Sequence, residues 1–291
     1  MEQRKGKPIL LILGTVLALA VGCSGRSCGG GPDVQFGEDG IDFARLESEK
    51  PLTASERMSL TPENIKELSQ EQVDQIYARL MAGPIPDGPY DGDLFFARGV
   101  DGDSRLSEIL GGGLKGLLGD IGVDKTEFIG RRLWKGKVFY PKEMVLRNRI
   151  DDLAVVKPLL GSEPTDTIQK IEVNGRDAYL LFPAKLYCGQ SLLDGRRESL
   201  IIDYAFSDEL PGYRHEPDRL AGRNGLAVRD EVRMVRPGFY LGRAYLNRVF
   251  LLNFTLIKED VVERDSDAFV ESGGKVQEAC WPGEQKPVAT D

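Results

Sequence analysis

Two aspartates lie inside stretches of the sequence that are otherwise typical of β-strands. Asp203 shares a strand face with Ile201, and Asp230 shares one with Val232. If those faces point inward, each carboxylate is buried and needs a cation or a proton. The cations available for pairing are Arg147, Arg149, Arg229 and Arg233. Such a pair would fix the headgroup of a ligand at the bottom of an apolar cavity. The alternatives are a structural salt bridge or the solvent face of a one-sided sheet.

Aromatic residues alternate along the same strand-like stretches. They would line either a ligand cavity or a packed core, because the alternation is the same in both cases. The glycine that follows Trp134-Lys135 marks a bend or bulge in its strand. The candidate ligand-binding residues are therefore Asp203, Asp230, Arg229, Arg233, Trp134, Tyr204 and Tyr240.

No enzyme motif is legible, and we expect a protein without catalytic activity. The single histidine, His215, lies in a proline- and glycine-rich loop, and Gly189-Gln-Ser191 lacks the second glycine of a nucleophile elbow. Asp101-Gly-Asp-Ser104 is similar to the start of a calcium loop, but the twelfth position is Gly112 instead of the required glutamate. We therefore expect no metal and no cofactor. A hydrolase that uses Asp203 or Asp230 is a less favoured alternative.

The N-terminus reads as a secretory signal. Basic residues precede an apolar run over 8–22, which is too short to span a bilayer comfortably. The segment Leu19-Ala-Val-Gly-Cys23 resembles a bacterial lipobox, with Ala20 where that pattern usually has leucine. The resemblance implies that residues 1–22 are removed and that Cys23 carries diacylglycerol. Ser24 in place of aspartate favours the outer membrane, facing the periplasm.

The remaining cysteines fit an oxidising compartment. Cys28 lies in a Gly/Ser-rich stretch, and the region 23–60 is expected to be a lipidated flexible tether. A disulfide between Cys188 and Cys280 is favoured because secreted chains pair their thiols, and a metal site built on these cysteines is the weaker alternative. The formal net charge of −8 argues against nucleic acid and anionic headgroups as partners. Attachment to the membrane would come from the lipid.

The remaining organisation is a helical segment followed by strands. Thr61 with Pro62, and Ser69 with Gln72, are N-terminal helix signals and predict helices over about 61–68 and 70–82. This segment, 61–83, is expected to pack on a β domain over 84–291. From about residue 126, short apolar strands alternate with tight turns such as Asn174-Gly175. The fold class is mainly β, an antiparallel meander that forms a barrel or a strongly curved sheet.

Several stretches between residues 70 and 257 resemble a set of uncharacterised bacterial secreted proteins and lipoproteins. They are Gly83–Gly92, Leu133–Phe139, Leu146–Arg149, Leu193–Tyr204, Arg229–Arg233 and Pro237–Gly242. Their pattern is also similar to that of lipocalin-like barrels, which hold apolar ligands. The resemblance implies a fold and a compartment, but no chemistry.

Three functions follow from these observations. The favoured one is a lipid-anchored carrier of an apolar or amphipathic small molecule, which predicts an empty apolar cavity. The second is an envelope module that binds a protein or inhibits an enzyme, which predicts a filled barrel and exposed apolar surface. The third is the hydrolase, which predicts a cleft with a perturbed carboxylate.

Overall fold

The computed structural model describes residues 31–102, 104–105, 134–160 and 164–280. Within residues 31–87, four helices precede the first strand: α1 (Phe43–Glu49), α2 (Ala54–Ser59), α3 (Pro62–Lys66) and α4 (Gln70–Arg79). Later in the chain lie α5 (Leu153–Leu160), a 3₁₀ turn (Ser207–Glu209), the short α6 (His215–Asp218) and α7 (Glu259–Glu271). Within these described ranges, no helix has the length and apolarity needed to cross a membrane.

The strands form one antiparallel sheet that closes into a barrel. They are β1 (Gly88–Phe95), β2 (Gly136–Tyr140), β3 (Val145–Ile150), β4 (Lys170–Val173), β5 (Arg176–Gln190), β6 (Glu198–Asp203), β7 (Val228–Arg236), β8 (Phe239–Leu246) and β9 (Val249–Ile257). Their order is β3-β2-β1-β9-β8-β7-β6-β5, and the pairing of β3 with β5 closes the ring. Strand β4 is an extra strand on β5. The predicted mainly β barrel is therefore confirmed.

The closing seam between β3 and β5 contains an irregularity at Phe182. This residue has φ +50°, a conformation that bulky residues rarely adopt, and the β3–β5 register shifts nearby. Side chains satisfy both of its backbone groups. The Phe182 N–H donates to Asp218 Oδ1 at 2.7 Å, and its carbonyl accepts from Asn148 Nδ2 at 3.0 Å. Two polar side chains thus replace the missing ladder bonds of the seam.

The barrel interior is lined by alternate residues of its strands. The apolar side chains inside the barrel include Leu200 and Ile202 of β6, Val232 of β7 and Leu252 and Leu256 of β9, all buried. Successive strand residues point to opposite faces, so the residues between them lie on the outer face. The outer face is buried as well over part of its area.

Helices α3 and α4 cover that part of the outer face. Both begin with capping boxes, at Thr61 and Ser69, as the sequence predicts. A second apolar cluster forms where the helices meet β7 and β8, and it contains Leu60, Ile65, Leu68, Val73, Ile76, Tyr77, Leu80, Val235, Phe239 and Leu241. The helices therefore lie outside the barrel.

Several expectations require correction or completion. The sequence predicts a loose tether as far as residue 60, but α1 and α2 occupy 43–59 because Leu46 is buried and Arg57 donates to the carbonyls of β7. Strand β1 begins at Gly88, and β3 and α7 were not predicted. Cys188 and Cys280 are bonded, with Cα atoms 5.2 Å apart, as expected. The signal segment 1–22, Cys23, Cys28 and the apolar stretch 106–121 lie outside the described residues.

Candidate functional site

A polar cluster lies inside the barrel, at the position where the sequence places Asp230. Asp230 comes from β7, Lys137 from β2 and Asn148 from β3, while Tyr204 follows the end of β6. Strands β2 and β3 are neighbours in the ring, and so are β6 and β7, but the two pairs lie on different sides of it. Closure of the barrel therefore brings the four side chains together. We call Lys137, Asn148, Tyr204 and Asp230 the interior cluster.

Lys137 is the centre of the interior cluster. Its Nζ lies 2.9 Å from Asp230 Oδ2, 2.8 Å from the Tyr204 hydroxyl and 3.0 Å from Asn148 Oδ1. The exposed fraction is 3% for the lysine side chain and 7% for the aspartate. An ammonium group has three donors, and three protein acceptors occupy them. Lys137 therefore has no donor left for a ligand.

Asn148 is saturated in the same way. Its Nδ2 donates to the Phe182 carbonyl and, at 2.9 Å, to the Tyr204 hydroxyl. Its Oδ1 accepts from Trp134 Nε1 at 2.8 Å as well as from Lys137. Both donors of the amide are used. A network that is satisfied this fully stabilises one arrangement of the interior.

The electrostatics of the interior cluster keep Lys137 charged. Burial lowers the pKa of its ammonium, but attraction and hydrogen bonding to Asp230 and Tyr204 outweigh burial, and the net pKa is raised. Burial also raises the pKa of the Tyr204 phenol to about 12, against the attraction of Lys137. At neutral pH the cluster is thus an ammonium–carboxylate pair with a neutral phenol. A protonated lysine is not a nucleophile.

Aromatic rings pack around the interior cluster. Lys137 Nζ lies 5.3 Å from the ring centre of Trp134 and 5.4 Å from that of Phe254. The Phe254 ring lies directly against Gly242 on the neighbouring strand, where a Cβ would come within 2.2 Å of it. The Trp134 ring covers Gly92 of β1 in the same way, at 2.3 Å. Glycines in the wall therefore make room for rings in the interior, as in a packed core.

The predicted site residues are divided between the two faces of the barrel. Asp230, Trp134, Tyr204 and Tyr240 belong to the interior cluster or the rings around it, and the Tyr240 hydroxyl donates to the Pro84 carbonyl at 2.7 Å. Asp203 lies on the outer face, half-buried, because Ile202 and Tyr204 on either side of it point inward. None of the four arginines that the sequence offered is the partner of Asp230.

Arg229 and Arg233 lie on the outer face of β7. Arg229 pairs with the buried Glu231, with 3.1 Å between Nη2 and Oε1. Arg233 is completely buried beneath α4 and lies 4.7 Å from the ring centre of Tyr77. Its guanidinium donates to backbone carbonyls, including that of Tyr77 at 3.0 Å. These arginines therefore connect the helices and loops to the barrel, and they do not contact the interior cluster.

Sequence reasoning missed Lys137 and Asn148. A signal for Lys137 was present, since it shares a strand face with the inward Phe139, two residues later in a strand that was recognised. Lysine is seldom buried, so this position reads as solvent-exposed when it is considered alone. Asn148 lies between two arginines in a strand that was not predicted.

Two exposed aromatic residues lie on the outer face of β5 and just after the end of β6. Tyr187 is 38% exposed and Phe206 is 42% exposed. The Tyr187 hydroxyl donates to Asp203 Oδ2 at 2.8 Å, and Lys185 lies 5.3 Å from the ring centre of Phe206. Arg223 lies on the same ring at 5.1 Å. We call Tyr187, Phe206, Lys185, Asp203 and Arg223 the outer aromatic patch.

Clefts and metal ligands do not point to another centre in the described part of the chain. A surface cleft of about 470 Å³ lies between residues 37–42 and α1, and one of about 200 Å³ lies beside the β4–β5 turn. Among the described residues, no group of three or more His, Cys, Asp or Glu side chains could hold a metal.

Comparison of the chain with protein-family models, with curated proteins and with solved structures gives no match.

Proposed function

We propose that this protein is a lipid-anchored, non-catalytic interaction module of the bacterial cell envelope, which binds a protein partner through its outer surface. The observation that carries the proposal is the saturation of the interior cluster. All three donors of Lys137 and both donors of Asn148 have protein partners. Together with the rings packed on Gly92 and Gly242, this favours a structural brace over a ligand hook.

The outer aromatic patch is the surface best suited to a protein partner. Tyrosine and arginine are enriched at the energetic centres of protein interfaces. Nearby carboxylates already neutralise the cations, with Lys185 paired to Glu209 and Arg223 to Asp208 at 2.7 Å. A partner that covers Tyr187 and Phe206 would therefore bury both rings without leaving Lys185 or Arg223 unpaired.

The envelope location rests on the sequence of residues 1–23 and on the bonded Cys188 and Cys280. Disulfides persist in oxidising compartments such as the periplasm. A Cys23→Ser variant should move the protein from the membrane fraction of the cell to the soluble fraction. Cys28→Ser is the matched control and should leave it in the membrane fraction. Equal distribution of the two variants would refute lipid anchoring at Cys23.

Native mass spectrometry separates the interaction module from the small-molecule carrier. The protein is purified from its bacterial host without denaturant, and its mass is compared before and after denaturation. The module predicts the same mass in both states. A stoichiometric adduct of lipid size, lost on denaturation, would refute the filled barrel and establish the carrier.

Photo-crosslinking in cells tests the outer aromatic patch itself. A photoreactive amino acid at Tyr187 or Phe206 should yield an adduct with another protein. The control position is Val270 on α7, which is 49% exposed and lies outside the patch. An identical adduct pattern at Val270 would contradict a specific surface.

A further inference from the structure

Strand β4 leaves one backbone edge open. It lies outside the eight-stranded ring and pairs with β5 along one side, from Lys170 opposite Tyr179 to Val173 opposite Arg176. Among the described residues, no strand pairs with its other side. Lys170 and Glu172 are exposed. An open strand edge is a template for another strand unless something covers it.

The ladder of the β4–β5 hairpin fixes which backbone groups face outward. The Leu180 N–H donates to the Gln169 carbonyl at 2.9 Å, so the polar groups of Gln169 point toward β5. In an antiparallel pair this direction alternates along the strand. Ile171 and Val173 therefore also bond toward β5. Lys170 and Glu172 each present one N–H and one carbonyl to the open edge.

The charges on one face of this hairpin are unbalanced. Glu172 lies directly opposite Asp177 of β5, and like charges in that position destabilise a strand pair. Lys170 Nζ forms an ion pair with Asp177 Oδ2 at 3.2 Å, and it lies 4.9 Å from the ring centre of Tyr179. This face of the hairpin thus holds two neighbouring carboxylates and one ammonium, because Arg176 lies opposite Val173 on the other face. Glu172 presents its backbone groups to the open edge.

We propose that β4 pairs antiparallel with β4 of a second copy of this chain, with Ile171 opposite Ile171 of the partner subunit. In this register Lys170 lies opposite Glu172 of the partner subunit, and Glu172 lies opposite Lys170 of the partner subunit. Both are residues whose backbone groups face outward, so two hydrogen-bonded pairs form with four N–H···O bonds. Each Glu172 gains the cation that its own face of the hairpin lacks. The order Lys-Ile-Glu is therefore self-complementary across a two-fold axis.

The interface is small, so the dimer is weak, as expected for a contact well below the standard interface size. Sedimentation velocity of the purified full chain in density-matched detergent, over about 10 µM to 1 mM, measures its dissociation constant. Glu172→Lys places lysine opposite lysine in both pairs, and Lys170→Glu places glutamate opposite glutamate. We expect each variant to raise the dissociation constant about 30-fold, since two attractive pairs become repulsive.

Mixing the two variants gives the decisive result. Glu172→Lys and Lys170→Glu chains complement each other in both pairs, so the equimolar mixture should dimerise as the natural chain does. The double variant Lys170→Glu with Glu172→Lys should do the same by itself. Arg176→Glu changes the charge equally on the same hairpin, away from the open edge, and is the matched control. Thermal denaturation of each variant checks that the barrel is intact.

A proline at position 172 tests the backbone independently of charge. Glu172→Pro removes an N–H that faces the open edge and leaves the β4–β5 bonds in place. It should abolish the dimer. The proposal is overturned if the natural chain is monomeric up to 1 mM, if the single reversals dimerise as the natural chain does, or if their mixture fails to recover dimers. None of these outcomes depends on the outer aromatic patch, so the proposed function is judged separately.

Discussion

Removal of the Asp230 charge tests the interpretation of the interior cluster as a brace. In Asp230→Asn, Lys137 keeps its hydrogen-bond acceptors on Asn148 and Tyr204 but loses the carboxylate 2.9 Å from its ammonium. The lysine side chain is 3% exposed, so water does not replace the lost charge. We expect the free energy of unfolding to fall by about 3–5 kcal/mol, the usual cost of breaking a buried pair on one side.

The pH dependence of the same variant has a predicted sign. In the natural protein the folded pKa of Lys137 is raised, so the pair stabilises fully below the unfolded pKa of about 10.4 and its contribution is lost at higher pH. Without Asp230, burial dominates and the folded pKa of Lys137 falls below the unfolded value. The stability of Asp230→Asn should therefore rise with pH toward about 10.4, while that of the natural protein does not.

Urea denaturation followed by circular dichroism measures both effects. Asp203→Asn is the matched control, since Asp203 lies on the outer face against the exposed Tyr187, and its loss should be below about 1 kcal/mol. Replacing both partners, with Lys137→Met and Asp230→Leu, should recover at least about 2 kcal/mol relative to Asp230→Asn, because no charge is then buried. A loss below about 1 kcal/mol in Asp230→Asn would refute the brace.

Three further predictions concern the wall, the seam and the disulfide. Gly242→Ala places a methyl group 2.2 Å from the Phe254 ring and should lower the free energy of unfolding, measured in urea, by about 1–3 kcal/mol. Adding Phe254→Leu should recover part of this loss, whereas no recovery would mean that the interior already has room for the methyl group. Burial raises the pKa of Asp218 in the folded protein to about 6, above its unfolded value of about 3.9. The contribution of protonated Asp218 to the free energy of unfolding is therefore complete below about pH 3.9 and is lost as the pH rises through about 6. The stability of the natural protein relative to Asp218→Asn should therefore fall by about 3 kcal/mol between pH 3.5 and 7, and a pH-independent difference would contradict this. Cys188→Ser should lower the free energy of unfolding by about 2–4 kcal/mol and remove its sensitivity to reductant, whereas unchanged sensitivity would mean that another bond is reduced.

The sequence determined the local elements well where the signal is local. The capping residues Thr61 and Ser69 begin α3 and α4, and Asn174-Gly175 turns the chain between β4 and β5. These signals act over three or four residues and do not depend on what packs against them. Strand β3 was missed because its sequence, Val-Leu-Arg-Asn-Arg-Ile, reads as polar. Its arginines and asparagine are buried by distant parts of the chain. The hydrophobic pattern within one strand does not predict such contacts.

The sequence by itself determined the fold class and favoured the pairing of Cys188 with Cys280, but it left open whether Asp230 is buried. Only the tertiary structure decided which face of each strand is inside and which cation meets Asp230. The outer face of β7 is buried beneath α4, so Arg233 is as buried as the interior residues and alternation alone does not separate the two faces. Lys137 reaches Asp230 across 93 residues of sequence because closure of the ring brings β2 and β7 to opposite sides of one interior. Contacts of that range depend on the whole barrel, whereas hydrophobic alternation and turn residues depend on neighbours in the chain.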